Sequence, residues 1–124
     1  MESTLPKTER LSSRKDIEEL YRKGTSMSAF PIKVIYIPNR LDFSRIIVSV
    51  PKRSFKRAVK RNLLKRKIRE AYRLNKHLLP SEEKRGYDLF FIYLSKEIID
   101  YSVIYAKISE LLEKIAVGVP DHVD

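Results

Sequence analysis

Apolar and polar residues alternate along this chain with two different periods, and the places where the period changes mark out its elements. Ser13-Arg14-Lys15-Asp16 has the S-x-x-D form that caps a helix, and Ile17, Leu20 and Tyr21 follow at i, i+3 and i+4. Gly24 then supplies the expected left-handed stop. Residues 25–29 are small and polar and fit a short strand or an extended lead-in. Residues 31–38, PIKVIYIP, switch to a period of two, with Ile32, Val34 and Tyr36 on one face and Lys33, Ile35 and Ile37 on the other. A second β-branched run, SRIIVSV at 44–50, ends at Pro51, which has no amide to give a ladder. The short link between the two runs predicts an antiparallel hairpin.

Residues 52–76 return to the helical period without a Gly or Pro. Leu64, Ile68, Ala71 and Tyr72 form one stripe, while Asn62, Lys65, Arg66, Arg69, Arg73 and Lys76 form another. The helix is expected to begin between Phe55 and Val59. YDLFFIYL at 87–94 is apolar almost throughout, as a strand covered on both faces must be. Val103, Ile104, Ile108, Leu111, Leu112 and Ile115 then predict a last helix, closed by Gly118. The order α-β-β-β-α-β-α predicts one α+β domain over residues 13–117, preceded by a flexible arm at 1–12 and followed by a tail at 118–124. Its small sheet of about four strands has helices mainly on one side. The other side is left partly open, beside the short first helix, as a cleft.

Charge changes the picture. The chain has 26 Lys and Arg against 16 Asp and Glu, a net +10. Residues 52–76 carry twelve of those bases and one acid, Glu70, so the remainder is close to neutral. Solvated helix faces usually mix signs, because i to i+4 pairs of opposite charge help the helix. Here Lys65/Arg69 and Arg69/Arg73 repel, at a few tenths of a kcal/mol per pair. Such a concentrated field points to a polyanion.

Other chemistry is poorly supplied. The chain has no Cys, which removes disulfides and thiolate metal sites and suits a reducing, cytoplasmic setting. It has no apolar run of the roughly 18 residues that a membrane helix needs, and no secretory signal pattern at Met1 to Leu5. A two-metal nuclease needs carboxylates converging on ions about 4 Å apart, yet no D-x-D or similar cluster occurs. His77 and His122 stand alone, and three Gly leave little room for a phosphate loop. Binding groups are abundant by contrast. Arg66 and Arg69 offer paired donors for phosphate, and Asn62 an amide for a base edge or a 2′-hydroxyl. Lys52, Arg53, Lys56 and Arg57 lead into the helix start, with Lys60, Arg61 and Lys67 on its flanks. In the cleft Tyr21, Tyr36 and Phe30 are candidates for stacking on unpaired bases, with Ile17 as an apolar wall.

Taken together, Lys52-Arg53, Lys56-Arg57-Ala58, Arg61-Asn62, Lys65-Arg66 and Arg69 resemble the basic motif of the bacterial ribonuclease P protein subunits. The resemblance runs from about Arg10 to Ile115. Leu63 departs from it, standing where the family usually has a further Arg, and Ile17 and Tyr21 stand where it often has Phe. The resemblance implies a left-handed crossover through the basic helix. It also implies binding to a catalytic RNA and to precursor tRNA, with the cleft holding the single-stranded 5′ leader while RNA and Mg²⁺ perform the hydrolysis. Neither an organic cofactor, a membrane nor an obligate protein partner is implied, and protein-bound metal is left open. The nearest rival is a ribosomal or other structured-RNA-binding protein. A major-groove DNA reader fits less well, because strands flank the helix on both sides. A membrane-surface helix also fits less well, because the core needs the apolar stripe.

Overall fold

A computed structural model describes residues 5–80 and 83–118. Three helices and four strands follow in the order α1 (Arg14–Lys23), β1 (Thr25–Ala29), β2 (Ile32–Pro38), β3 (Arg45–Ser49), α2 (Ala58–Asn75), β4 (Tyr87–Tyr93) and α3 (Tyr101–Val117), so the fold is α+β. The capping residue of α1 behaves as its sequence predicts: Ser13 Oγ accepts from the Asp16 amide at 3.3 Å. Gly24 does not. Its φ of −72° is ordinary extended backbone, and the need for glycine is steric, since a Cβ there would lie 2.4 Å from the Leu20 carbonyl oxygen and 2.7 Å from Ile35. Gly118, at φ 73°, is the left-handed stop expected for α3.

The sheet order is β1-β2-β4-β3. The hairpin expected between β2 and β3 is therefore absent: β4 lies between them, antiparallel to β2 and parallel to β3. The link at 39–44 arches over the entry of β4 and is fastened to it. The Asn39 amide donates to the Gly86 carbonyl at 3.0 Å, and the Gly86 amide to that of Leu41 at 2.7 Å. A Cβ on Gly86 would stand 2.1 Å from the Phe43 carbonyl oxygen, so only glycine lets β4 pass so close beneath the arch.

The hand of the β3-α2-β4 crossover follows from these bonds. The Leu94 amide donates to the Pro31 carbonyl and the Asn39 amide to that of Gly86, so even-numbered residues of β4 turn their peptide groups toward β2. Phe90 is one of them, and its side chain faces α1. For an L residue seen with its side chain toward the viewer and the strand rising, the peptide groups point right. In that view β2 is right of β4, β3 is left, and α2 crosses behind the sheet from left to right. That is a left-handed crossover, the hand implied by the resemblance and the reverse of the usual one.

Two apolar clusters flank the sheet. On one side Leu64, Ile68, Ala71 and Tyr72 of α2 and Ile104, Ile108, Leu111 and Leu112 of α3 close over Val34, Val48, Leu89 and Phe91. Burying one such Leu or Ile contributes about 2 kcal/mol, so the row fixes the rotation of α2 and decides which side chains look outward. On the other side a smaller cluster of Leu11, Leu20, Ile35 and Phe90 seats α1. The expected flexible arm is corrected here. Leu5 and Leu11 are buried in the two clusters, Lys7–Glu9 form a 3-10 turn, and the Leu11 amide donates to the Ile46 carbonyl at 2.8 Å. The chain from the 3-10 turn to Leu11 thus runs along the free edge of β3. Residues 1–4 of the arm and 119–124 of the tail lie outside the described residues.

Candidate nucleic-acid interface

With its apolar stripe seated, α2 presents Asn62, Arg66 and Arg69 to solvent, and Arg73 stands partly exposed beside them. Lys60 is exposed, while Lys65 and Lys67 are partly buried on the flanks. Among the described residues none of Lys60, Lys65, Arg66, Lys67 and Arg69 makes an ion pair within 4.0 Å. Arg73 does, with Glu70 at 2.9 Å, and Lys76 pairs with Glu9 at 2.9 Å. Arg61 is used differently. Its Nη1 donates to the Phe55 and Lys56 carbonyls at 2.6 and 3.0 Å, and so fastens the approach to the helix. That approach carries Lys52, Arg53, Lys56 and Arg57, all exposed, and Phe55 anchors it in the main core. Leu63 is partly buried on the side of α2 turned away from Arg69, a position that suits an apolar residue.

The cleft lies on the α1 side of the sheet. Tyr21 is 60% exposed and meets Phe90 edge to face at a centroid distance of 5.4 Å. Ile17 is half-buried against the small cluster, and Ile37, Ile47 and Ile92 continue the apolar floor. Tyr36 is not part of it. Alternation along β2 puts Tyr36 with Val34 on the main-core side, where its ring meets Tyr87 at 5.9 Å, so its inclusion in the cleft is corrected by the face that α1 covers. Phe30 sits in the turn between β1 and β2, 60% exposed.

A family model described as Ribonuclease P matches residues 5–116. The chain belongs to the ribonuclease P protein family. It is 39% identical over 122 residues to the ribonuclease P protein component of Porphyromonas gingivalis, covering 94% of this chain and 89% of that one. Against the protein component of Petrotoga mobilis the identity is 42% over 117 residues, with 90% and 95% covered. Among solved structures the ribonuclease P protein from Thermotoga maritima superposes with a TM-score of 0.74 at 31% identity, covering 86% of this chain and 96% of that one.

Within this ribonuclease P family member, two residues belong to the surfaces although their sequence context does not mark them. Phe90 reads as plain core in a continuous apolar run, yet it forms the floor under Tyr21. Arg10 precedes the first helix and carries no periodic signal. The pairing of residue 10 with Ile46 places it at the β3 edge, and Leu11 points to the α1 side, so Arg10 turns toward α2. There it faces Arg69, whose pKa is lowered first by burial and then by the charge of Arg10. Neither has a carboxylate within 4.0 Å among the described residues. Two like charges held together by a paired backbone are relieved by a shared anion. Arg10→Ala is expected to lower the salt slope of RNA binding by roughly 0.7–0.9, the share of one phosphate contact, as filter binding across a salt series would measure. An unchanged slope would take Arg10 out of the interface.

Among the described residues no group of three or more His, Asp or Glu side chains is gathered for a metal ion, and no helix is long and apolar enough to cross a membrane.

Proposed function

We propose that this chain is the protein subunit of a ribonuclease P holoenzyme that matures the 5′ end of tRNA in the cytoplasm. The cationic side of α2 and its approach segment lie on the catalytic RNA. The cleft beside Tyr21 takes the single-stranded 5′ leader of precursor tRNA, and the RNA with its Mg²⁺ carries out the hydrolysis. The observation that carries this reading is the set of α2 cations with no ion-pair partner among the described residues, Arg66 and Arg69 foremost, turned outward by a buried apolar stripe on a chain of this family. Screening of phosphate charge by Arg66, Arg69 and their neighbours would let the RNA approach its substrate at lower Mg²⁺. The exposed ring of Tyr21 over an apolar floor suits an unpaired strand, since stacking on an aromatic contributes about 1–3 kcal/mol per base.

Reconstitution with a bacterial ribonuclease P RNA at low Mg²⁺ tests the whole reading. Leader removal from precursor tRNA is expected to accelerate when the protein is added to the RNA, and the protein alone is expected to leave the substrate intact. Tight RNA binding without acceleration would favour a structured-RNA-binding protein with no part in cleavage. Cleavage by protein and metal alone would overturn the division of labour.

A further inference from the structure

A cavity of about 300 Å³ opens at the carboxyl end of α2, apart from the cleft beside Tyr21. Three separate pieces of chain wall it: the 3-10 turn with Glu9, the arch with Phe43 and Ser44, and the stretch from Tyr72 to Pro80. Its interior is largely apolar and aromatic, made by Phe43, Tyr72, Leu79 and Pro80. Ser44, itself buried, accepts from the Tyr87 amide at 3.0 Å. Burial first, and then the charge of Glu9, raise the Tyr72 pKa, so the phenol is neutral. The rim is of another kind, with Arg73, Lys76 and His77. Glu70 and Glu9 hold Arg73 and Lys76 at 2.9 Å each, so a phosphate at the mouth would compete with a carboxylate for either cation.

An apolar interior with Lys76 and the exposed His77 at its edge suits a nucleotide, with the base inside and the phosphate taking Lys76 in place of Glu9. The volume lies at the low end of the range for small organic ligands and accommodates a nucleobase. Its place matters as much as its shape. Arg66, Arg69 and Arg73 recur along one side of α2, and Lys76 follows at the mouth, so a strand tracking those cations arrives at the cavity. A paired base cannot enter such a hole, whereas an unstacked base of a loop or bulge can.

We propose that this cavity receives one unstacked nucleotide of the RNA strand that lies along α2, its base among Phe43, Tyr72 and Leu79 and its phosphate at Lys76 and His77. The proposal rests on the RNA-binding reading above and adds a place where a base, and not the backbone alone, is held. The test is a titration of the isotopically labelled full chain, followed by amide NMR, with adenosine monophosphate, a short single-stranded oligoadenylate and a short RNA duplex. The amides of Phe43, Ser44, His77 and Leu79 are expected to move with the mononucleotide and the single strand and not with the duplex, which should move amides of α2 only. Phe43→Leu is expected to weaken the single strand roughly fivefold, the low end of what stacking one base contributes, and His77→Ala, at an exposed residue whose loss leaves the fold intact, to weaken it by about the same factor through a lost phosphate hydrogen bond. Cavity amides that stay still while those of α2 respond to the single strand would overturn the proposal. So would a response to the mononucleotide without one to the strand, which would assign the cavity to a free nucleotide. If neither RNA moves either set, the RNA-binding reading itself fails and takes this inference with it.

Discussion

Replacing Arg66 and Arg69 together by Ala is expected to cost about 3 kcal/mol of RNA binding, roughly a hundredfold in Kd at moderate salt, counting each as one charge-assisted phosphate contact. Both side chains are exposed, and neither has an ion-pair partner among the described residues, so their removal leaves no buried charge stranded and the fold should be unaffected. The loss is then attributable to the interface. It should also carry a signature in salt, a flattening of the log Kd against log salt line by roughly 1.4–1.8 for two lost contacts. Arg73→Ala supplies the contrast. Its guanidinium is already bonded to Glu70 by Nε at 3.1 Å and Nη2 at 2.9 Å, so it should matter less to RNA than either neighbour. Electrophoretic mobility shifts over a salt series would measure all three. A double variant that binds as tightly as the parent, with the same slope, would remove α2 from the RNA surface.

That experiment concerns the part of the molecule that is most legible from sequence. Two stripes at helical spacing, one apolar and one cationic, determine how α2 sits, because the same burial that anchors Leu64 and Ile68 points Arg66 and Arg69 the other way. Strand partnership is a different matter. The runs that become β2 and β3 look like a hairpin because their link is short, and nothing local says that a strand fifty residues downstream will slide between them. What marks that insertion is a steric contact between Gly86 and the Phe43 carbonyl, which exists only after folding. The face of Tyr36 is legible in the alternation of β2, but which face α1 covers is not, and so sequence alone groups Tyr36 with Tyr21 in the cleft. Arg10 escapes notice for a related reason. Its partner is the edge of β3, and its closeness to Arg69 is made by tertiary contact, not by spacing.

Asp88→Ala is expected to destabilise the fold by about 3 kcal/mol, toward the lower end of what breaking one partner from a buried ion pair costs. Asp88 is only 6% exposed and accepts three hydrogen bonds, from Arg45 Nε at 2.9 Å, Arg45 Nη2 at 2.8 Å and Asn39 Nδ2 at 2.9 Å. Through them it joins β4 to β3 and to the arch, and Arg45 Nη2 reaches on to Asp16 in the first turn of α1 at 3.4 Å. The cost stays at the lower end because Arg45 keeps Asp16 and some access to water when Asp88 is gone. Loss of this bridge should loosen α1 over the sheet, and with it the spacing between Tyr21 and Phe90, so binding of a single-stranded leader should weaken although no contact residue has changed. The pH dependence has a definite sign. The hydrogen bond from Arg45 to Asp88 raises the Arg45 pKa above its usual value, so the stabilisation attached to Arg45 is complete below the ordinary guanidinium range and is lost only as pH rises through the raised one. Between neutral and mildly alkaline pH the gap in stability between parent and variant should therefore not close through Arg45. Urea unfolding at two pH values in that window measures both claims, and a gap below about 1 kcal/mol would show that Arg45 simply turns to Asp16 and solvent.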